Sequence, residues 1–269
     1  MSEAVKTRTA AGPSSIALHA REGWGKTSWA AQFPAPIFLM TARETGLLTL
    51  VENGLLPETP HLPMCNTWAE MLDGVKALIE QEHPYKTLVI DTLNGAERLC
   101  HEHVCNRDYG GDWGEKGFTS YMRGFEVSLG DWRELLDLLD QLRTKRNVRP
   151  LLLIHTKVVT FKNPTGADFD KYQPEMHAKT WALTAKWLDA ILFGNFEAPL
   201  LDEKVTAKKT KALNGMIRML YTEAQGGWDA KNRFGLPAEI ECGESAAEAY
   251  KAFMDSIKTA RQANSGVKQ

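Results

Sequence analysis

Lys26 and Thr27 close the run Ala20-Arg21-Glu22-Gly23-Trp24-Gly25-Lys26-Thr27, which matches the pattern glycine, four free positions, Gly-Lys-Ser/Thr everywhere except its first place. A loop of this kind does phosphate chemistry. Its glycines let the backbone turn tightly and aim successive N–H groups at phosphate oxygens, its lysine supplies a point charge and its hydroxyl faces a magnesium ion. Ala20 stands where the first glycine belongs, while Gly23 and Gly25 keep the turn. The nucleotide-contacting set is therefore Arg21, Glu22, Gly23, Trp24, Gly25, Lys26, Thr27 and Ser28.

Three further side chains have types and positions suited to the same chemistry. Asp91 follows the apolar run Leu88-Val89-Ile90, the way a buried strand delivers a carboxylate to a magnesium held by the loop hydroxyl, so Thr27 and Asp91 are the expected metal pair. The plainer reading is a turn aspartate at a strand end. Glu44 lies in the loop after a second apolar run and would face the γ-phosphate, where hydrolysis needs a group to orient or deprotonate water; a solvated loop glutamate is the alternative. His155 ends a fourth apolar run and is placed to sense the γ-phosphate, unless it only caps its strand.

The elements that must position these groups are legible. Ser15 to His19, Pro36 to Met40, Tyr85 to Asp91 and Arg149 to His155 read as short buried strands, with a fifth near Ala190 to Phe196. Helical spacing marks Lys26 to Gln32 and Thr67 to Gln81, and helices are expected near 94–107, 128–145, 180–189 and 245–262. Strands alternating with helices predict an α/β fold with a mostly parallel sheet covered on both faces, and ligands bind at the carboxyl ends of such strands. The loop, Glu44, Asp91 and His155 all fall there. Lys157 to Lys179 reads as a long loop, and Lys204 to Tyr221 as a basic hairpin turning at Asn214-Gly215 with Lys204, Lys208, Lys209 and Lys211. The glycine-rich stretch Asp108 to Gly124, with Tyr109, Trp113 and Phe118, reads as a mobile contact surface or a lid.

Composition narrows the classes. With 32 basic and 34 acidic residues the formal charge is -2, so any nucleic-acid contact must come from local patches. Lys157, Phe161 and Lys162, then Lys171 and Tyr172, interleave bases and rings in the way that stacks bases and meets phosphates. Cys65, Cys100, Cys105 and Cys242 do not form a disulfide framework, which suggests a reducing, cytoplasmic setting, and no run approaches the roughly 18 to 20 apolar residues of a membrane span. In Cys100-His101-Glu102-His103-Val104-Cys105, His101 and Cys105 share a helical face, but only two metal ligands converge, so an ordinary helix is expected. Trp68, Trp132 and Trp187, in helical phase, read as core.

The order of these features resembles the phage-encoded RecA-like ATPases, especially those proposed as single-strand annealing recombinases. Beyond the loop, Glu44 and Leu88-Val89-Ile90-Asp91, the resemblance rests on His155-Thr156-Lys157, the stretch Phe161 to Tyr172, Trp187-Leu188-Asp189 and Lys231-Asn232-Arg233-Phe234-Gly235-Leu236-Pro237, and it covers most of residues 12–240. It implies a RecA-like P-loop NTPase core over 12–240; the residues themselves add a flexible stretch at 1–11, a C-terminal hairpin, a helical appendage at 241–262 and a disordered tail at 263–269. It further implies an ATPase, DNA-stimulated, that uses ATP and Mg2+, binds single-stranded DNA, assembles as a homo-oligomeric ring or filament and works with phage or host recombination proteins in a host-cell cytoplasm. Glu44 would be the hydrolytic residue, and Lys231 or Arg233 would touch a nucleotide across a subunit junction. Thr41-Ala42-Arg43-Glu44 departs from the family by lacking the acidic-x-acidic pattern before that glutamate. Two other classes share the loop: a phosphotransferase that encloses a small molecule or nucleotide under a lid at 108–124, and a non-catalytic module gated by nucleotide.

Overall fold

The computed structural model describes residues 12–197 and 217–266. Residues 1–11, 198–216 and 267–269 lie outside the described residues, and with them the lysines and Asn214-Gly215 of the expected basic hairpin. Strands β1 (Ile16–Ala20), β2 (Pro36–Met40), β3 (Thr87–Asp91), β4 (Arg149–Phe161) and β6 (Ala190–Phe196) form the parallel centre of a sheet ordered β2-β3-β4-β1-β6. Antiparallel strands β7 (Arg218–Tyr221) and β9 (Glu239–Glu241) extend the β6 edge, and the short β8 (Lys231–Asn232) pairs with the start of β6. The expected α/β architecture, a mostly parallel sheet flanked by helices, is the one observed.

Successive side chains on a strand point to opposite faces, and this divides the core. Ala17, Ile37, Leu39, Leu88 and Ile90 meet helices α3 (Trp68–Glu80), α4 (Leu93–Tyr109), α5 (Arg123–Arg146) and α6 (Ala178–Trp187) on one face. Trp68 and Trp132 stack there with ring centroids 5.9 Å apart, as their helical phase suggested. Ile16, Leu18, Phe38 and Met40 meet α1 (Lys26–Ala30), α2 (Gly46–Glu52) and α7 (Ala246–Gly266) on the other. Helix α3 carries buried Trp68, Met71, Leu72, Val75, Leu78 and Ile79 at the spacing of one helical stripe, and it opens with a capping box between Thr67 and Glu70. Among the described residues no helix is long and apolar enough to cross a membrane.

One sequence expectation changes, a short helix joins the expected elements, and the C-terminal helix packs into the core. Lys157 to Lys179 is not one long loop: β4 runs on to Phe161, turns, and returns as antiparallel β5 (Phe169–Pro174), with Phe161 opposite Phe169 and Thr156 opposite Pro174. Thr156, Val158 and Thr160 alternate with Lys157, Val159 and Phe161, the pattern of a two-sided exposed ribbon whose charges mimic a loop. Helix α2, with seven residues, is too short to show a periodic stripe. Helix α7 follows the core in sequence yet belongs to it in packing: Phe253 is fully buried, with its ring 5.5 Å from that of Trp29.

Candidate nucleotide-binding site

The loop begins where β1 ends. Ala20 is the last residue of β1, paired with His155 of β4 on one side and Gly194 of β6 on the other. It lies in extended strand, so the first position of the loop needs no glycine, whereas Gly23 at φ 76° and Gly25 at φ 94° occupy the left-handed region that favours glycine. The space an Ala20 methyl needs is provided by its neighbour: a Cβ on Gly194 would stand 2.7 Å from that of Ala20 and 2.9 Å from the Trp24 ring. The missing glycine of the motif is thus found across the strand pair. Gly194→Ala is expected to cost about 1–3 kcal/mol by overpacking and to weaken nucleotide binding. Ala20→Gly, which restores the motif, should lower stability by about 0.5–1 kcal/mol and leave binding intact. Thermal melts and nucleotide titrations of both variants check the pair.

Trp24 holds the loop from below. Its ring is fully buried, meets Trp29 edge-on and donates its indole N–H to the Asn195 carbonyl at 3.0 Å. Arg218, on β7, donates Nε–H to the Trp24 carbonyl at 2.7 Å and bridges on to the Glu244 carbonyl. Gly25 starts α1 without a side-chain cap, so the first N–H groups of that helix face outward, toward the place where a phosphate would sit.

Lys26 and Asp91 are both taken out of water. Burial lowers the Lys26 pKa, against the attraction of Asp91, Glu44 and Glu22, and Nζ donates to the Ala20 carbonyl at 3.2 Å. Burial pushes the Asp91 carboxyl up to about 6, while the Thr27 hydroxyl donates to Oδ2 at 2.9 Å and holds it down. A desolvated carboxylate beside a hydroxyl is a hard-oxygen donor pair, the chemistry that suits a magnesium ion sharing its shell with phosphate oxygens. The residues present therefore fit that cation.

Glu44 stands opposite. Its Oε1 accepts from the Thr92 hydroxyl at 3.1 Å and lies 3.1 Å from Nε2 of His155. The hydrogen bond with His155 is the main cause that lowers its pKa, outweighing burial. His155 is steadied in turn: its backbone N–H donates to Asn94 Oδ1 at 3.2 Å. Thr92 also caps α4 by accepting from the Gly95 N–H, and its own N–H donates to Thr41 Oγ1 at 3.2 Å, tying the end of β2 to the end of β3. Lys26, Asp91, Glu44 and His155 are close enough that each carboxylate feels the lysine and the histidine.

The remaining expected residues lie elsewhere. The β4–β5 ribbon rises directly from His155 and exposes Val158, Phe161 and Lys162. Lys157 donates to the Met176 carbonyl at 3.1 Å, Lys162 pairs with Asp168 and Lys171 pairs with Asp229, both at 2.6 Å, and Tyr172 stacks on Phe193. Lys231 and Arg233 sit beside the start of β6, at the opposite end of the sheet from Lys26. Lys231 closes the C-terminal end of α6 by donating to the carbonyls of Ala185 at 2.7 Å and Leu188 at 2.6 Å, and Arg233 pairs with Asp189 at 3.3 Å. His101 and Cys105 are buried in α4, where Cys105 packs against Phe118. Thr92, Asn94, Gly194 and Arg218 escaped the sequence reading. Thr92, directly after the strand-ending Asp91, carried an N-cap signal; Gly194 carried none until its strand pairing was known.

A mostly parallel sheet with a phosphate loop after β1 and polar groups at the ends of its neighbours defines a P-loop nucleotide-binding fold. The chain belongs to the AAA domain family, whose model matches residues 13–234. Among solved structures it is similar to the RadB recombinase at 10% identity, over 88% of this chain and 90% of that one, with a TM-score of 0.49. No curated protein matches the chain in the sequence comparison.

Proposed function

We propose that the chain binds ATP with magnesium, hydrolyses it, and uses the nucleotide state to control single-stranded DNA on the β4–β5 ribbon. The observation that carries this reading is the Glu44–His155 contact, because it joins the group facing the γ-phosphate to the root of an exposed strand. Lys26 and the loop N–H groups hold the phosphates, Thr27 and Asp91 hold magnesium, and Glu44 orients the attacking water. When γ-phosphate leaves, the partner of Glu44 changes, His155 follows, and the ribbon that begins at Thr156 is reset. Phe161, 41% exposed at the ribbon's turn, supplies a stacking face, and Lys162 a charge for the backbone. Both residues are engaged within their own chain, Lys231 with helix-end carbonyls and Arg233 with Asp189, so Arg233, more than half exposed, would have to give up that pair to reach a neighbouring subunit in an oligomer.

A phosphotransferase would close 108–124 over its acceptor. That stretch is pinned by Phe118, fully buried against Val104 and Cys105, which favours the DNA reading. ATP hydrolysis with and without a poly-dT oligonucleotide tests it. Several-fold stimulation by the oligonucleotide is expected, together with binding that weakens steeply as salt rises, and Phe161→Ala should cost roughly 1–3 kcal/mol of DNA affinity. Unchanged turnover combined with no binding at low salt overturns the DNA step and leaves the nucleotide site standing.

A further inference from the structure

The segment between β7 and β8 folds back onto the ribbon. Among the described strands β5 pairs with β4 alone, and this segment covers its free edge: the Tyr172 backbone N–H donates to the Gly227 carbonyl at 2.8 Å, and a parallel bridge sets Trp228 beside Tyr172. Side chains along β5 alternate between two faces. On one of them Tyr172 stacks on Phe193, as do Tyr221 and Trp228. The other carries Phe161, Phe169 and Lys171, with the two rings 5.2 Å apart and the Lys171 ammonium 5.9 Å from the centre of the Phe161 ring. Rings beside a cation are the parts that hold a single strand, yet this cation is already engaged, its Nζ lying 2.6 Å from Asp229 Oδ1. Asp229 is placed independently of that pair. Its backbone carbonyl takes a hydrogen bond from His19 Nε2 at 2.8 Å; a carbonyl only accepts, so Nε2 carries the proton and Nδ1 accepts from the Thr156 hydroxyl at 3.2 Å. His19 is itself fully buried and stacks on Phe193 at 4.9 Å, so the main chain behind the Asp229 carboxylate is fixed by the core at the root of the ribbon.

We propose that Asp229 is an intramolecular stand-in for a DNA phosphate: its carboxylate holds Lys171 in the free chain, and the backbone of a single strand stacked on Phe161 displaces it. The inference rests on the proposed use of the ribbon for single-stranded DNA. The exchange puts one oxyanion in place of another at the same ammonium, so the strand gains Lys171 only by ejecting a tethered competitor. Asp229 therefore holds the affinity of the free chain below what the rings and lysines of the ribbon would give by themselves. Tyr172, seated on Phe193 and joined to Gly227, belongs to the covering segment and not to the strand-binding face.

The test is fluorescence anisotropy of the full chain with a labelled poly-dT oligonucleotide. Asp229→Asn keeps the size of the side chain and the backbone bond to His19 and removes the charge alone. It is expected to bind the oligonucleotide about fivefold more tightly than the unmodified chain. Asp170→Asn, which takes the same charge from the opposite face of β5, should change affinity less than about twofold, because it frees no lysine. In a Lys171→Met background Asp229→Asn should bring no gain, since the two residues then act as one pair. ATP binding by both asparagine variants should match that of the unmodified chain, and Asp229→Ser supplies the same comparison should Asp229→Asn fail to fold. If the unmodified chain binds the oligonucleotide and Asp229→Asn binds it no more tightly, or Asp170→Asn gains as much, or the gain survives in Lys171→Met, the proposal is overturned while the DNA reading stands. If neither the unmodified chain nor any variant binds at low salt, both fall.

Discussion

A Glu44→Gln variant is expected to bind ATP within about twofold of the unmodified chain and to turn it over roughly 10²–10⁴-fold more slowly, the usual worth of a positioned general base. The side chains are the same size, and the glutamine carbonyl still accepts from the Thr92 hydroxyl that now reaches Glu44 at 3.1 Å. What is lost is basicity. Glu44 is kept ionised chiefly by its hydrogen bond with His155, so at neutral pH it is the better placed of the two site carboxylates to take a proton from water. Asp91, whose carboxyl is pushed up to about 6 by burial, serves a cation better than a proton transfer. Phosphate release and nucleotide titration, measured on the same preparation, separate the two effects. Hydrolysis at the normal rate would remove Glu44 from the mechanism.

The same assignment fixes a pH profile. The acid limb of kcat/KM reports the free enzyme, and the carboxylate that protonates first on acidification is Asp91, near pH 6, because Glu44 is held lower. Turnover should therefore fall as pH drops through about 6. In Glu44→Gln the residual rate should keep that limb, since the group responsible is still present.

How much of this was readable beforehand depended on whether a group acts through its own strand or through a neighbour's. Asp91 and His155 each end an apolar run and Glu44 lies in the loop after one, and the rule that ligands gather at the carboxyl ends of parallel strands placed them together without knowledge of the strand order. Gly194 could not be read this way. Its significance comes from lying opposite Ala20 across the β1–β6 pair, and the two are separated in sequence by most of the chain. Arg218 is the same case, since its hydrogen bond to the Trp24 carbonyl exists only because β7 folds back beside β6. The ribbon after His155 was misread for a different reason. Both of its faces carry charges and rings, so no buried stripe announced a strand, and only cross-strand pairing reveals it. Lys231, credited with a role at a subunit junction, shows the limit of reading a charge from sequence: its ammonium is consumed by helix-end carbonyls that no spacing discloses.

Asp91→Asn is expected to make the protein more stable and less active at once. In the chain without nucleotide at pH 8, Asp91 is ionised although burial opposes its charge, its carboxyl having moved from an ordinary 3.8 to about 6. A folded-state value raised above the unfolded one means that the folded form binds the proton more tightly. The cost is then absent below about pH 4, grows between 4 and 6, and is fully present above 6. At one pKa step per 1.36 kcal/mol it amounts to about 2–3 kcal/mol. Asparagine removes the charge yet keeps an oxygen to accept from the Thr27 hydroxyl, so most of that cost should be recovered as a melting temperature roughly 5 °C higher at pH 8 and unchanged near pH 4. Magnesium and ATP should reverse the order. The unmodified chain gains about 2.7 kcal/mol when ligand stands at a hundred times its Kd, because the cation keeps the carboxylate charged at no penalty. The variant, deprived of that anionic ligand, should gain far less and lose at least about 10²-fold in turnover. Melting curves at both pH values, each with and without magnesium and ATP, decide the matter. If the variant is no more stable than the parent at pH 8, Asp91 is not a strained buried anion; if magnesium and ATP stabilise both chains equally, it does not hold the metal.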